Sequence, residues 1–262
     1  MKHFLYSAIP MLLLLTSLSS CGQTPYPLTG TLDLPEQIPY GDTLIEVPSF
    51  EGTWVYLLDF ENQLVDSVQI EDNSFEFSGK VDPKDTYFLQ LTCQVGSAMV
   101  VIEPGDIEVN FYPEVTVGGT PSNDAMAEID SQLEELNVST YQYMAELTDS
   151  LRMLGQELTD SMQFNLALEF QRAYTSMLDD AYEQNKSNMA GIYAVLMRHM
   201  NVQSADEFER ALSFYPERVR NNDLLQLNLR LLRQYEMIQD NDSLQLDPSL
   251  FGLEPEGTAP QN

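Results

Sequence analysis

Few groups in this chain could do chemistry, and each stands apart from the partners it would need. There are two cysteines. Cys93 closes Tyr87-Phe88-Leu89-Gln90-Leu91-Thr92-Cys93, an alternating stretch that puts Tyr87, Leu89, Leu91 and Cys93 on one strand face. No C-x-x-C occurs, so Cys93 reads as a small buried hydrophobe. A reactive thiolate would want a basic neighbour or a helix N-terminus. His199, beside Arg198 on a helical stretch, has no second histidine near it past the N-terminal segment, so it reads as structural and a zinc site is not expected. Carboxylate pairs such as Glu103 and Asp106 are unavoidable among 41 acids and carry no catalytic role by proximity. Asp240-Asn241-Asp242 starts like a calcium loop but lacks its mid-loop Gly and closing Glu. G-x-S-x-G, Walker and dinucleotide patterns are missing, so no enzyme and no cofactor are expected.

Cys21 differs, because its setting is a motif. Lys2 and His3 precede an apolar run from Phe4 to Leu15, too short to span a bilayer, and a small-residue stretch ends in Leu18-Ser19-Ser20-Cys21. This resembles the lipobox of bacterial lipoproteins, which implies cleavage before Cys21 and acylation of its thiol and amine. Two or three acyl chains, at about 0.8 kcal/mol per buried CH₂, make a stable anchor. The expected partner of the N-terminus is therefore the membrane. Gly22 rather than Asp after the Cys implies, by the same resemblance, the outer membrane facing the periplasm. The formal charge is −29, and loss of the leader removes Lys2 but no acid. Such a field repels phosphate backbones and excludes nucleic acid as a partner.

The elements that must carry these groups fall into two kinds, so the expected class is α+β. An antiparallel, sandwich-like β domain comes first and an all-helical subdomain second. Strands are predicted at Leu28 to Leu34, Thr43 to Val47, Thr53 to Leu58, Leu64 to Ile70, Phe75 to Phe77, Tyr87 to Thr92, Met99 to Ile102 and Ile107 to Tyr112. Glu71 to Ser74 and Glu103-Pro104-Gly105-Asp106 are turns. After Gly118-Gly119-Thr120-Pro121 the period changes. Ser122 or Asn123 can cap a first helix running to Leu154, with a break near Asn137 to Thr140. A second helix carries Leu158 to Tyr182, Asn188 caps a third, Ser204-Ala205-Asp206-Glu207 is a capping box for a fourth, and Leu224 to Ile238 marks a fifth. The predicted division is a signal peptide over 1–20, a tether over 21–27, the β domain over 28–120, the helical domain over 121–239 and an acidic, unstructured tail over 240–262.

The β region resembles domain-of-unknown-function family 4369. The motifs are Gly52-x-Trp54-Val55-Tyr56-Leu57, Asp66-Ser67, Phe75-x-Phe77-x-Gly79, Ile102-Glu103-Pro104-Gly105 and Gly119-Thr120-Pro121-x-Asn123, with Asn185-Lys186-Ser187-Asn188-x-x-Gly191 before the later helices. The resemblance implies structural roles for Asp66, Gly79, Glu103, Pro104, Gly105, Asn123, Asn185 and Asn188. It also implies a periplasmic lipoprotein in which a thioredoxin-like domain usually follows. Here Gly257-Thr258-Ala259-Pro260 is followed only by Gln261 and Asn262, so that domain and its Cys pair are expected to be absent.

Two classes of function remain. One is a non-enzymatic lipoprotein that binds an envelope protein or a ligand. The other is an accessory subunit of thiol-disulfide chemistry, working with a separate thioredoxin-like protein. The two units should pack on each other, with the face of Trp54, Tyr56 and Leu58, or the opposite one with Val55 and Leu57, covered by helices. Leucines from Leu224 to Leu232 wrap more of the last helix than one stripe needs. Leu227 and Leu229 are therefore candidates for docking a separate chain, or else simply core of a helix buried on several sides.

Overall fold

A computed structural model describes residues 23–41 and 43–240, so the leader, Cys21 and the tail from 241 onward lie outside the described residues. The class is α+β: among the described residues, ten strands precede six helices. Two four-stranded sheets face each other. One has the order β10 (Thr116–Gly118), β9 (Ile107–Asn110), β1 (Thr24–Thr31), β6 (Ser74–Val81); the other has β5 (Leu64–Gln69), β4 (Trp54–Leu58), β7 (Tyr87–Thr92), β8 (Ser97–Ile102). The alternation read from sequence appears directly as burial. Val55, Leu57, Leu89, Leu91, Val100 and Ile102 point inward to meet Leu28, Phe75, Phe77, Ile107 and Val109. Between β1 and β4 a separate hairpin, β2 (Gln37–Tyr40) with β3 (Thr43–Glu46), pairs only with itself.

Two expectations about this domain need correction. The sandwich is not wholly antiparallel, because β1 pairs parallel with β9 from Leu28↔Ile107 to Thr31↔Asn110. The segment 24–27 is not a tether, because Thr24↔Val81 to Pro27↔Ser78 already belong to the antiparallel β1–β6 ladder. Pro25 and Pro27 suggested otherwise, but they fall where β1 has a neighbour on one side only, and a missing N–H costs nothing on an open side. Two glycines there lie under aromatic rings. A Cβ at Gly30 would sit 1.9 Å from the Phe75 ring, and one at Gly79 would sit 2.4 Å from the Tyr26 hydroxyl.

The helices are α1 (Pro121–Met153), α2 (Asp160–Asn185), α3 (Met189–His199), α4 (Ala205–Leu212), α5 (Glu217–Arg220) and α6 (Asp223–Asp240). At 33 residues, α1 is about 50 Å long and continuous. The break expected near Asn137 to Thr140 is absent, since the Ser139 and Thr140 hydroxyls donate back to the Leu136 carbonyl at 3.0 and 2.7 Å and are satisfied inside the helix. The capping box at Ser204 does not close either: the Ser204 side chain makes no cap bond. The first N–H of α4, that of Ala205, donates instead to Glu236 of α6 at 2.8 Å. The one-turn helix α5 carries no periodic signal and escaped the sequence reading.

Helices and sandwich share a seam. Phe88 and Val101, on the outer face of the β5–β4–β7–β8 sheet, are buried in the same cluster as Met126, Ile129, Leu178, Ile192, Phe208 and Leu225. Of the two faces proposed for this contact, the helices use the one that bears Trp54, Tyr56 and Leu58, but not at Trp54 and Tyr56 themselves. Val55 and Leu57 lie inside the sandwich, and Trp54 and Tyr56 remain exposed. The helices cover the end of the outer face formed by β7 and β8. Because this seam joins the two cores, the helical signal in circular dichroism and Trp54 fluorescence should be lost in one coincident transition. Phe88→Ala should lower both midpoints together, at a cost of about 3–5 kcal/mol. Two separated transitions would show the units to be independent.

Candidate functional site

The motif residues converge where the β8–β9 loop meets the start of α1. Glu103 is 8% exposed, and both of its carboxylate oxygens are used. Oε1 accepts from the Ser122 backbone N–H at 2.6 Å, and Oε2 accepts from the Ser122 hydroxyl at 2.6 Å. The Ser122 hydroxyl in turn accepts from the Met189 N–H, the first residue of α3, at 3.3 Å. Asn123, fully buried, reads the edge of β8 as another strand would. Its Oδ1 accepts from the Val101 N–H at 2.8 Å, and its Nδ2 donates to the Val101 carbonyl at 2.9 Å and to the Thr120 hydroxyl at 2.8 Å.

Sequence logic made Ser122 or Asn123 the N-cap. The cap is Thr120, with Pro121 opening the helix, and Ser122 and Asn123 lie inside the first turn. The acceptor for the free N–H of Ser122 comes from Glu103, nineteen residues upstream. A carboxylate at the positive end of a helix, holding two donors, is well placed electrostatically. Glycines make the approach possible. Gly119 has φ +86°, and a Cβ there would lie 2.2 Å from the Asp106 carbonyl oxygen; Gly105 has φ +127°, and a Cβ there would lie 3.0 Å from the Thr120 methyl group. Pro104, just before Gly105, is half-buried.

The other motif residues have smaller structural tasks. Asp66 is exposed, and its Oδ1 accepts from the Ser67 N–H at 2.7 Å, next to the register shift between Leu57 and Leu58. Asn185 and Asn188 shape the α2–α3 turn. Asn188 Nδ2 donates to Asn185 Oδ1 at 3.1 Å, while Asn188 Oδ1 caps α3 by accepting from the Gly191 N–H at 3.4 Å. Arg218, which no sequence signal marked, donates to the carbonyls of Lys186 at 2.6 Å and Asn188 at 3.2 Å.

Residues 45–126 match the family model for DUF4369, a domain of unknown function. That segment is a DUF4369 domain. The match holds both halves of the Glu103–Ser122–Asn123 clasp and stops just inside α1. The sandwich also needs β1, which lies before the match. The chain has no significant match among curated proteins.

Beside the DUF4369 clasp, a cleft of about 580 Å³ opens between the sandwich and α6. Its apolar lining includes Phe60, Phe88, Met189 and Leu227, and Arg230 bridges its mouth to Glu61 at 3.0 Å. Both partners of that pair are more than half exposed, so it contributes at most about 1 kcal/mol. The docking candidates separate here. Leu227 lines the cleft, but Leu229 is 4% exposed within the helical core, because the i, i+4, i+7 row Leu225–Leu229–Leu232 is the buried face of α6. Leu229 is thus no docking residue.

His199 and Cys93 are both partly buried. Burial first, and Arg198 second, hold the imidazole below its usual range. It stacks edge-on with Phe208 and Tyr215. Cys93 is half-buried against the sandwich core. Tyr193, on α3, donates its hydroxyl to Asp130 of α1 at 2.5 Å, and burial pushes the pKa of each group up.

The clasp yields a stability test. Glu103→Ala strands the buried donors of Ser122 and should cost about 2–4 kcal/mol in urea unfolding, with Glu103→Gln intermediate because it restores one acceptor. An Ala variant as stable as the parent would show that the clasp contributes nothing.

Proposed function

We propose that this chain is a lipid-anchored, non-enzymatic lipoprotein of the bacterial envelope, held at the outer membrane and serving as a binding module. The observation that carries the reading is a spacing. Leu18-Ser19-Ser20-Cys21 stands in lipobox register three residues ahead of Thr24, where β1 begins. Three extended residues reach about 10 Å, so an anchor at Cys21 would hold the sandwich against the bilayer surface. Among the described residues no helix is long and apolar enough to cross a membrane.

The chemistry around the DUF4369 motifs supports binding over catalysis. The most buried polar groups, Glu103, Thr120, Ser122 and Asn123, hold sandwich and helices together. Their hydrogen-bonding capacity goes to one another and to the backbone. Solvent-accessible features lie elsewhere, in the cleft beside Leu227 and on the outer sheet face. A second reading, the accessory subunit working with a separate thioredoxin-like protein, draws on the family resemblance. Leu227 offers that partner the same cleft.

Mass spectrometry of the mature N-terminal peptide should find acyl chains on Cys21, and Cys21→Ala should leave unprocessed precursor or release the protein from membranes. An unmodified Cys21 in the mature protein sinks the anchor. For the binding role, Leu227→Glu should abolish capture of an envelope partner from detergent extracts without lowering the unfolding midpoint. Leu229→Glu should unfold the helical core, at a cost of about 3 kcal/mol or more.

A further inference from the structure

The outer face of the β5–β4–β7–β8 sheet changes character along its strands. At one end Phe88 and Val101 are sealed beneath the helices. At the other, Trp54 and Tyr56 stand open, 46% and 38% exposed. They are two residues apart on β4, so their rings rise from the same face roughly 7 Å apart. Cross-strand register supplies their neighbours. Gln69 lies opposite Trp54, Ser67 and Thr92 flank Tyr56, and Ser97 lies opposite Thr92.

We propose that this open end is a binding platform for an uncharged oligosaccharide. A pyranose ring presents one face of C–H bonds and a rim of hydroxyls. The C–H face suits the electron-rich face of an aromatic ring, and the hydroxyls suit side chains that both donate and accept. Two rings side by side on one sheet face, with hydroxyl and amide groups beside them, offer both. The Gln69 amide is already oriented, since its Nε2 donates to the Gly52 carbonyl at 3.1 Å, which leaves Oε1 to accept.

Charge selects among possible occupants. In a chain with 41 acids, these two rungs of the sheet carry none. Glu51 and Asp66, which flank them in sequence, are engaged by the N–H groups of Asp72 and Ser67. A neutral ligand meets no unpaired charge on the platform, whereas a uronic-acid polymer would approach a strongly negative molecule. The groups beside the two rings are hydroxyls and an amide (Ser67, Gln69, Thr92 and Ser97), which suit the hydroxyl rim of a sugar. The inference does not depend on the lipid anchor, so an unacylated Cys21 would leave it standing.

Trp54 is the chain's single tryptophan, so its emission reports directly on the platform. The full chain in detergent should be titrated with cellohexaose, maltohexaose and N-acetylchitohexaose, and in parallel with oligogalacturonate. At least one neutral sugar should give a saturable change in Trp54 emission, while oligogalacturonate gives none. Tyr56→Ala keeps the reporter and should weaken that binding about tenfold, whereas Tyr56→Phe, which keeps the ring, should stay within about threefold of the parent. Circular dichroism of each variant checks that the fold is retained. Lack of a saturable response to every neutral sugar, an equal response to oligogalacturonate, or undiminished binding by folded Tyr56→Ala would each overturn the proposal. Shielding of Trp54 by a protein partner but by no sugar would overturn it as well.

Discussion

A buried carboxylate is costly to desolvate, and this fold keeps one in a seam between sheet and helices. Glu103 is tolerated because every direction around it is answered: a backbone N–H and a hydroxyl from Ser122, and the positive end of α1. The geometry then propagates. Meeting Ser122 at 2.6 Å requires the β8–β9 loop to turn sharply at Gly105 and the chain to enter α1 through Gly119 at positive φ. Asn123 follows one residue later and locks β8 to the same turn of helix. The position of α3 depends on it too, through the Met189 N–H and the Ser122 hydroxyl. One side chain thus fixes how three elements meet.

The apolar packing divides around that seam. Inner faces of both sheets form one cluster, and the helices with the outer ends of β7 and β8 form the other. The β5–β4–β7–β8 sheet is therefore the middle layer, buried over most of its inner face and over part of its outer face. That partial cover explains why alternation is clear in β4 and blurred in β8, where Val100, Val101 and Ile102 are all fully buried. The α1–α2 pair reaches beyond this support. Its buried positions end at Leu133 on one helix and begin again at Leu178 on the other, apart from Leu151 near the hairpin tip.

Local signals were legible where local physics decides. Strand alternation located Trp54 to Leu58 and Tyr87 to Thr92, and Asn188 capped α3 as its type suggested. The motif residues Glu103 and Asn123 could be picked out by their resemblance to family 4369. What they do could not be read from the sequence, because the acceptor that serves Ser122 lies nineteen residues away across a sheet edge. The same reason hid the parallel β1–β9 pairing and the capping of α4 by Glu236. Proline misled at Pro25 and Pro27, and Ser-Thr misled at Ser139 and Thr140. In each case a residue type that usually breaks an element found a setting where its defect was harmless. Leu229 could not be told from Leu227 by composition, since only the angle at which α6 meets its neighbours separates core from cleft.

The placement of β1 has a mechanical consequence. A chain held by its N-terminus is pulled along β1, and β1 is an interior strand, paired over eight positions with β6 and four with β9. A load applied there runs parallel to the strand and strains the bonds of both ladders together. An edge strand pulled from its end would instead unzip one bond at a time. The strand nearest the proposed anchor is thus loaded in shear, the direction in which a sheet resists extension best, and the exposed β2–β3 hairpin, downstream of it, carries little of the force.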